Sequence, residues 1–305
     1  VTGVLLAVNG GPEPAGNRTP PAAGPPSAPD LLVRNGDEVV AKGVVVAAPG
    51  KPVVFCPPMP ETAMAYPPGQ EPPPACHDDP RAVVVTGVDM ERLSRPETRK
   101  GVSFGYAELR GVWRDRTIAV TEQAPYAEDK DEPVPPVADD VPCPRPSDDW
   151  KHNKELGDVN PDPLSAFIAR QPDRFGAQWV AYVDVDQEAP NSGPNYPDAK
   201  QILIVGVVEG DLDDARRELE ALYDGNLCVT RTAQSIARRE QVTDELEALW
   251  TDHPEAVVGT AGQASPDNLP AVDLVVMDQP IHDVLARIGW DQFEVDAAIK
   301  PAPRA

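Results

Sequence analysis

The sequence has little of what usually announces a function. Its four histidines, His77, His152, His253 and His282, are scattered, and its four cysteines form no Cys-x-x-Cys pair, so the spacing of a zinc site is missing. GxSxG, HExxH, a Walker loop and a GxGxxG after a strand are all absent, and each common catalytic signature fails. Bases are few: 27 against 50 acids give a net charge of −23, which disfavours phosphate-driven nucleic-acid binding and attachment to anionic lipid. An acid-rich, lysine-poor composition is also what a high-salt habitat produces. Paired acids recur at Asp78-Asp79, Asp139-Asp140, Asp148-Asp149 and Asp213-Asp214, but none has the ligand spacing and glycine turn of an EF-hand loop. No cofactor and no metal is expected.

What is abundant is proline. The 38 prolines are more than twice the usual share of roughly 5% and cluster in 12–29, 57–74, 133–146 and 301–303, where they mark linkers and long loops. The resulting division is an apolar stretch and Pro-rich spacer at 1–29, a β domain at 30–124, a Pro- and acid-rich linker at 125–160, an α+β domain at 161–300 and a tail at 301–305. Residues 1–8 are too few to span a bilayer but resemble the last turns of a signal or anchor helix. With the spacer behind them they predict an extracytoplasmic protein anchored by its N-terminus, the membrane being touched nowhere else. Cys56, Cys76, Cys143 and Cys228 permit three pairings. Cys56 with Cys76 would close a proline-rich loop, and Cys143 with Cys228 would pin the linker to the second domain.

Within 30–124 the pattern is short strands at 39–47, 52–56 and 82–88, one helical turn at 89–93, and longer strands at 102–113 and 117–123. That order, with glycines available for bends, predicts a small OB-like β-barrel. Phe104, Tyr106, Trp113 and Arg110, in the one locally basic stretch, form the candidate binding face for an anionic or sugar ligand. Burial alone predicts the same alternation, with the aromatics in the core and the arginines solvated.

The second domain is organised around 201–228. A continuously apolar segment at 202–208 reads as a central strand, an acidic turn follows, and Leu212, Ala215, Leu219 and Leu222 stripe a helix closed by Gly225. Asp211, Asp213 and Asp214 suit that helix's dipole and would repel an anion. A similar order recurs from 271 to 299, with Asp278, Pro280 and Gly289 bounding a helix at 279–288. A helix at 235–250 crosses between the copies. The predicted fold class is therefore multidomain, β plus α+β: an OB-like β-barrel followed by an α+β domain of two β-β-α-β units.

Phe175-Gly176-Ala177-Gln178-Trp179, followed by a strand, by ILIVGVV and by an amphipathic helix, resembles the repeat in pro-domains of secreted bacterial proteases of the streptogrisin and α-lytic type. The likeness spans residues 163–300 and implies a part that assists folding of a protease and inhibits it. The whole chain is similar in style to secreted or membrane-anchored proteins of unknown function from high-GC Gram-positive bacteria. The expectation is a non-catalytic binding or protein-interaction module whose partner is a protein or small ligand at the cell surface. One alternative is a protease inhibitor or chaperone-like relative using an exposed tail at 300–305. Another is a hydrolase with an unrecognised site, which needs a buried His near a Ser and an Asp.

Overall fold

The computed structural model describes residues 28–58, 72–126, 141–151, 162–184, 200–262 and 269–303. The anchor reading of 1–8 lies outside them, as do His152 and Ser265. Among the described residues no helix is long and apolar enough to cross a membrane.

The chain is mostly β. Its first long strand, β1 (Glu38–Ala47), alternates inward Val39, Ala41 and Val45 with outward Glu38, Val40 and Lys42. β2 (Val54–Cys56), β3 (Val83–Thr86), β4 (Ser94–Arg99), β5 (Val102–Arg114) and β6 (Thr117–Pro125) follow. β5 and β6 meet in a tight hairpin at Asp115 and Arg116, both with positive φ, and the Asn35 amide bonds both the side chain and the N–H of Asp115. The expected helical turn shrinks to a 3-10 turn at Met90–Arg92, and β4 appears where no strand was expected. β4 lacks apolar alternation because it is an outer strand paired only with β5.

Pairing runs β1 to β2, β2 to β3, β3 to β6 in parallel, β6 to β5, and β5 back to β1, a ring of hydrogen-bonded strands. Val39, Val45, Phe55, Val83, Leu109, Trp113 and Ile118 fill its interior.

The rest of the chain builds two regions with the same local order. In the first, α1 (Asp162–Ala169) leads into β7 (Phe175–Val183), β8 (Lys200–Val207), α2 (Leu212–Glu220) and β9 (Leu227–Arg231). β7 and β8 are antiparallel, β8 and β9 parallel. β8 is the central strand and is buried along its whole length, as its unbroken apolar run predicted. Asp211 caps α2, accepting from the N–H groups of Asp213 and Asp214. The helix stops at Glu220, with Ala221 as its C-cap, instead of running to Gly225. Leu222 closes a tighter turn onto Leu219, which turns Tyr223 into the core and leaves Gly225 in the following loop.

In the second region, α3 (Ile236–Asp252) precedes β10 (Val257–Gly262), β11 (Pro270–Val276), α4 (Gln279–Ile288) and β12 (Glu294–Pro301). β10 and β11 are antiparallel, β11 and β12 parallel. α4 has the predicted ends: Asp278 accepts from Ile281 N–H, and Gly289 takes a φ of 106° that disfavours a side chain. Val242, Leu246 and Leu249 of α3 pack with Ile281 and Leu285 of α4 over Val272 and Leu274.

The two regions differ in how they join the molecule. β12 pairs antiparallel with β1 along 39–41, on the edge that β2 occupies along 44–46, so one nine-stranded sheet runs from β10 to β4. Ile299, Val258 and Val275 enter the ring core. Arg81 and Arg116 donate to the Val258 and Glu255 carbonyls across the same junction. The boundaries read from composition follow the linker, and the sheet crosses them.

β7, β8 and β9 form a separate sheet, with one face under α1 and α2 and the other under residues 141–151. Trp150 is 8% exposed there against Ile202 and Ile204. The disulfide Cys143–Cys228 fastens this cover, and Cys56–Cys76 closes the earlier loop. Lys200, also 8% exposed, lies 2.6 Å from Asp149 and 2.9 Å from Asp184, and Arg145 bonds the same two carboxylates. Two disulfides place the chain in an oxidising, extracytoplasmic setting.

Candidate functional site

The site grows from the register of three strands. Because side chains alternate, Glu38, Val40 and Lys42 of β1 share the outer face with Glu108 and Arg110 of β5 and with Asp296, Ala298 and Lys300 of β12. Val40 lies opposite Arg110 on one side and Lys300 on the other, and Lys42 lies opposite Glu108. This face floors a groove of about 1360 Å3, walled by the turn at Leu31–Leu32, by Tyr126 and by Pro301 to Pro303. Its charges are matched in open pairs: Lys42 with Glu108 at 3.3 Å, Arg110 with Glu38 at 3.9 Å, and Lys300 with Asp296 at 2.6 Å. Pairs this exposed exchange partners at little free-energy cost, so a ligand carrying both charges can replace them.

The candidate face is divided by the pleat. Arg110 lines the groove, and Tyr106, on the same outer face of β5, packs its ring 5.4 Å from that of Tyr126 at the groove's edge. Phe104 is also turned outward but is buried in a small cluster with Val46, Val54 and Val102, with the Arg99 guanidinium 5.3 Å over its ring. Trp113 is on the opposite parity and sits 4% exposed inside the ring. It cannot contact a ligand on the face that carries Tyr106 and Arg110. Glu38, Lys42 and Glu108 are not singled out by the sequence, and Lys300 only as the start of the tail at 300–305. Their signal was polar alternation along each strand, but only the pairing of β1 with both β5 and β12 brings them together.

A smaller pocket of about 380 Å3 lies on the helix-free face of β11 and β12, where Asp273 and Asp296 are in register. Partial desolvation by the surrounding strands, and then the charge of Asp296, raise the Asp273 carboxyl above its ordinary range.

Each described histidine pairs with a nearby carboxylate, His77 with Asp78, His253 with Glu255 and His282 with Asp283. Among the described residues no cluster of His, Cys, Asp or Glu has the geometry to hold a metal. The tail expected to be exposed at 300–305 is in part held: Lys300 and Pro301 belong to β12, and Ala302 donates to the Glu38 carbonyl. No protein-family model matches this chain, and no curated protein matches it.

Proposed function

We propose that this chain is an extracytoplasmic, non-catalytic binding module whose groove on the β5-β1-β12 face receives an extended peptide of mixed charge from a protein at the cell surface. The observation that carries this reading is the groove itself, about 1360 Å3 with both signs of charge in open pairs on a rigid strand floor and a tyrosine pair at its edge. Backbone groups of a peptide would lie over Val40 and Ala298, and its charged side chains would displace the ion pairs on either side.

Strand order supports an OB-like barrel as the scaffold: the ring β1-β2-β3-β6-β5 with its parallel β3 and β6 is the order of that fold. The shared strand-strand-helix-strand order of 175–231 and 257–301 supports a duplicated β-β-α-β unit. Residues 1–8, read as the last turns of an N-terminal anchor helix, complete the proposal, holding the groove on the outer side of a membrane.

The test is selection from a displayed random-peptide library on the immobilised wild-type chain and on the double variant Lys42→Glu/Arg110→Glu. Peptides of mixed charge should enrich on the wild type and lose at least about tenfold in affinity on the variant, the size expected for one charge-assisted contact. Absence of enrichment, or equal binding to both proteins, would sink the proposal.

A further inference from the structure

Asn-Gly occurs twice in the sequence, at 9–10 and at 35–36, and the second pair lies within the described residues. A glycine after an asparagine leaves the backbone nitrogen between them unshielded by a side chain, so that nitrogen can close a succinimide ring on the asparagine side-chain carbon. Asn35 and Gly36 are both exposed, Gly36 has a φ of 96°, and a Cβ there would meet nothing within 4 Å. Water and hydroxide reach the pair freely.

The fold ties down both reacting groups. The Asn35 amide nitrogen donates to the Asp115 carboxylate at 2.7 Å, and its oxygen accepts from the Asp115 N–H at 2.9 Å. Gly36 N–H, whose nitrogen is the nucleophile, donates to the Trp113 carbonyl at 2.8 Å, and Trp113 N–H returns a bond of 2.9 Å to the Asp37 carbonyl. The turn also closes on itself, Arg34 N–H donating to the Asp37 carboxylate and Asp37 N–H to the Arg34 carbonyl. Cyclisation needs the Asn35 side chain to leave Asp115 and the Gly36 nitrogen to leave Trp113, so it waits on a local opening of the turn.

We propose that Asn35-Gly36 is a self-modification site, a deamidation site gated by the β5–β6 hairpin tip. In the opened turn hydroxide takes the Gly36 amide proton and the nitrogen's electron pair forms a bond to the Asn35 side-chain carbon. The bond from that carbon to the side-chain amide nitrogen breaks, and ammonia leaves with a proton from water. Water then opens the succinimide at either carbonyl, giving aspartate or, with the backbone rerouted through the side chain, isoaspartate. Neither product donates to Asp115, because residue 35 now sets a carboxylate against a carboxylate. The tip that Asn35 supported is held at a cost, since Asp115 and Arg116 are non-glycine residues with positive φ. The modification therefore unlocks the tip and loosens the groove beside it, which Arg34 and Asp37 line.

Incubation of the full chain at mildly alkaline pH, folded and in guanidinium chloride, followed by peptide mapping of residue 35, tests this. The wild type should convert at least about tenfold faster in denaturant, where all these bonds are open. Asp115→Ala removes the acceptor of the Asn35 amide, so when folded it should convert about fivefold faster than the wild type, and in denaturant the two should convert alike. Asn35→Asp carries the product's charge from the start and should speed amide exchange at Gly36 and Trp113 about fivefold, a readout that stands even if Asp115→Ala fails to fold. Equal conversion of the folded and unfolded wild type overturns the proposal, as does a folded Asp115→Ala no faster than the wild type. Unchanged exchange at Gly36 and Trp113 in Asn35→Asp overturns the unlocking of the tip.

Discussion

Residues 175–231 and 257–301 lay down the same order of elements, yet they are stabilised by different means. The second region needs no covalent help: β12 joins β1, Ile299 and Val258 enter the ring core, and α3 and α4 cover the other face. The first has only three strands, too few for independent stability without more packing. Its second face is covered by an irregular segment that cannot bond in the ladder, and that segment is held by a disulfide, a buried tryptophan and a four-membered charge cluster. Where sheet continuity is missing, crosslinks and ion pairs take its place.

The comparison can be broken most severely at Cys143–Cys228. The bridged residues are 85 apart, and releasing a loop of that length in the unfolded chain costs about 4.5 kcal/mol of stability in the chain-entropy treatment. The double variant Cys143→Ala/Cys228→Ala should lose that amount in urea denaturation, with the loss concentrated in β7 to β9 when followed by amide exchange. Opening Cys56–Cys76, 20 residues apart, should cost less, about 3 kcal/mol. Equal costs, or losses spread evenly over both regions, would show that the first region does not depend on its staple.

A smaller effect sharpens the same point. Trp150→Ala empties the cover over Ile202 and Ile204 and should cost about 3 kcal/mol, again local to β7 to β9. Protection of β10 to β12 should be unchanged, since their core contains nothing from 141–151.

How much of this was legible in the sequence follows from the range of each signal. α4 was readable at both ends because Asp278 and Gly289 act on their own helix, and β8 was readable because a strand covered on both faces has to be apolar throughout. Gly225 misled because glycine marks a helix end only where the chain needs a positive φ, and the turn at Leu222 supplies the exit first. The groove was the least legible feature. Arg110 stood out in a basic stretch and Tyr106 as an aromatic, but Lys42 and Lys300 are each the single basic residue of strands about 260 residues apart and become neighbours only when β12 adds to β1. Trp113 was grouped with Tyr106 by composition and separated from it by parity, since a step of seven positions, an odd number, puts them on opposite faces.

Acid should pull the two regions apart by the smallest but most diagnostic margin. In the first, hydrogen bonds from Arg145 and then Lys200 hold the Asp149 carboxyl far below the usual carboxylate range, and Lys200 foremost lowers that of Asp184. A depressed native pKa means that the unfolded chain binds more protons, so this stabilisation is complete above the ordinary value near 3.9 and fades as pH falls below it toward the native value. In the second region the bonds from Gln279 and His282 lower the pKa of the exposed Asp283 of α4 in the same sense, but at Asp273, between β11 and β12, the sign is reversed. Asp273 has a raised pKa, so its ionised form opposes folding at neutral pH, and that opposition is relieved as pH falls through the raised value. Amide exchange corrected for intrinsic rate, followed from neutral pH to about pH 3, should show β8 and β9 losing protection while β11 and β12 hold or gain it. Asp273→Asn should remove the gain and stabilise the chain at neutral pH by less than about 1 kcal/mol, because the carboxylate is largely solvent-screened. Parallel loss in both regions would mean that the Arg145, Asp149, Asp184 and Lys200 cluster does not hold the cover in place and that packing around Trp150 carries the first region alone.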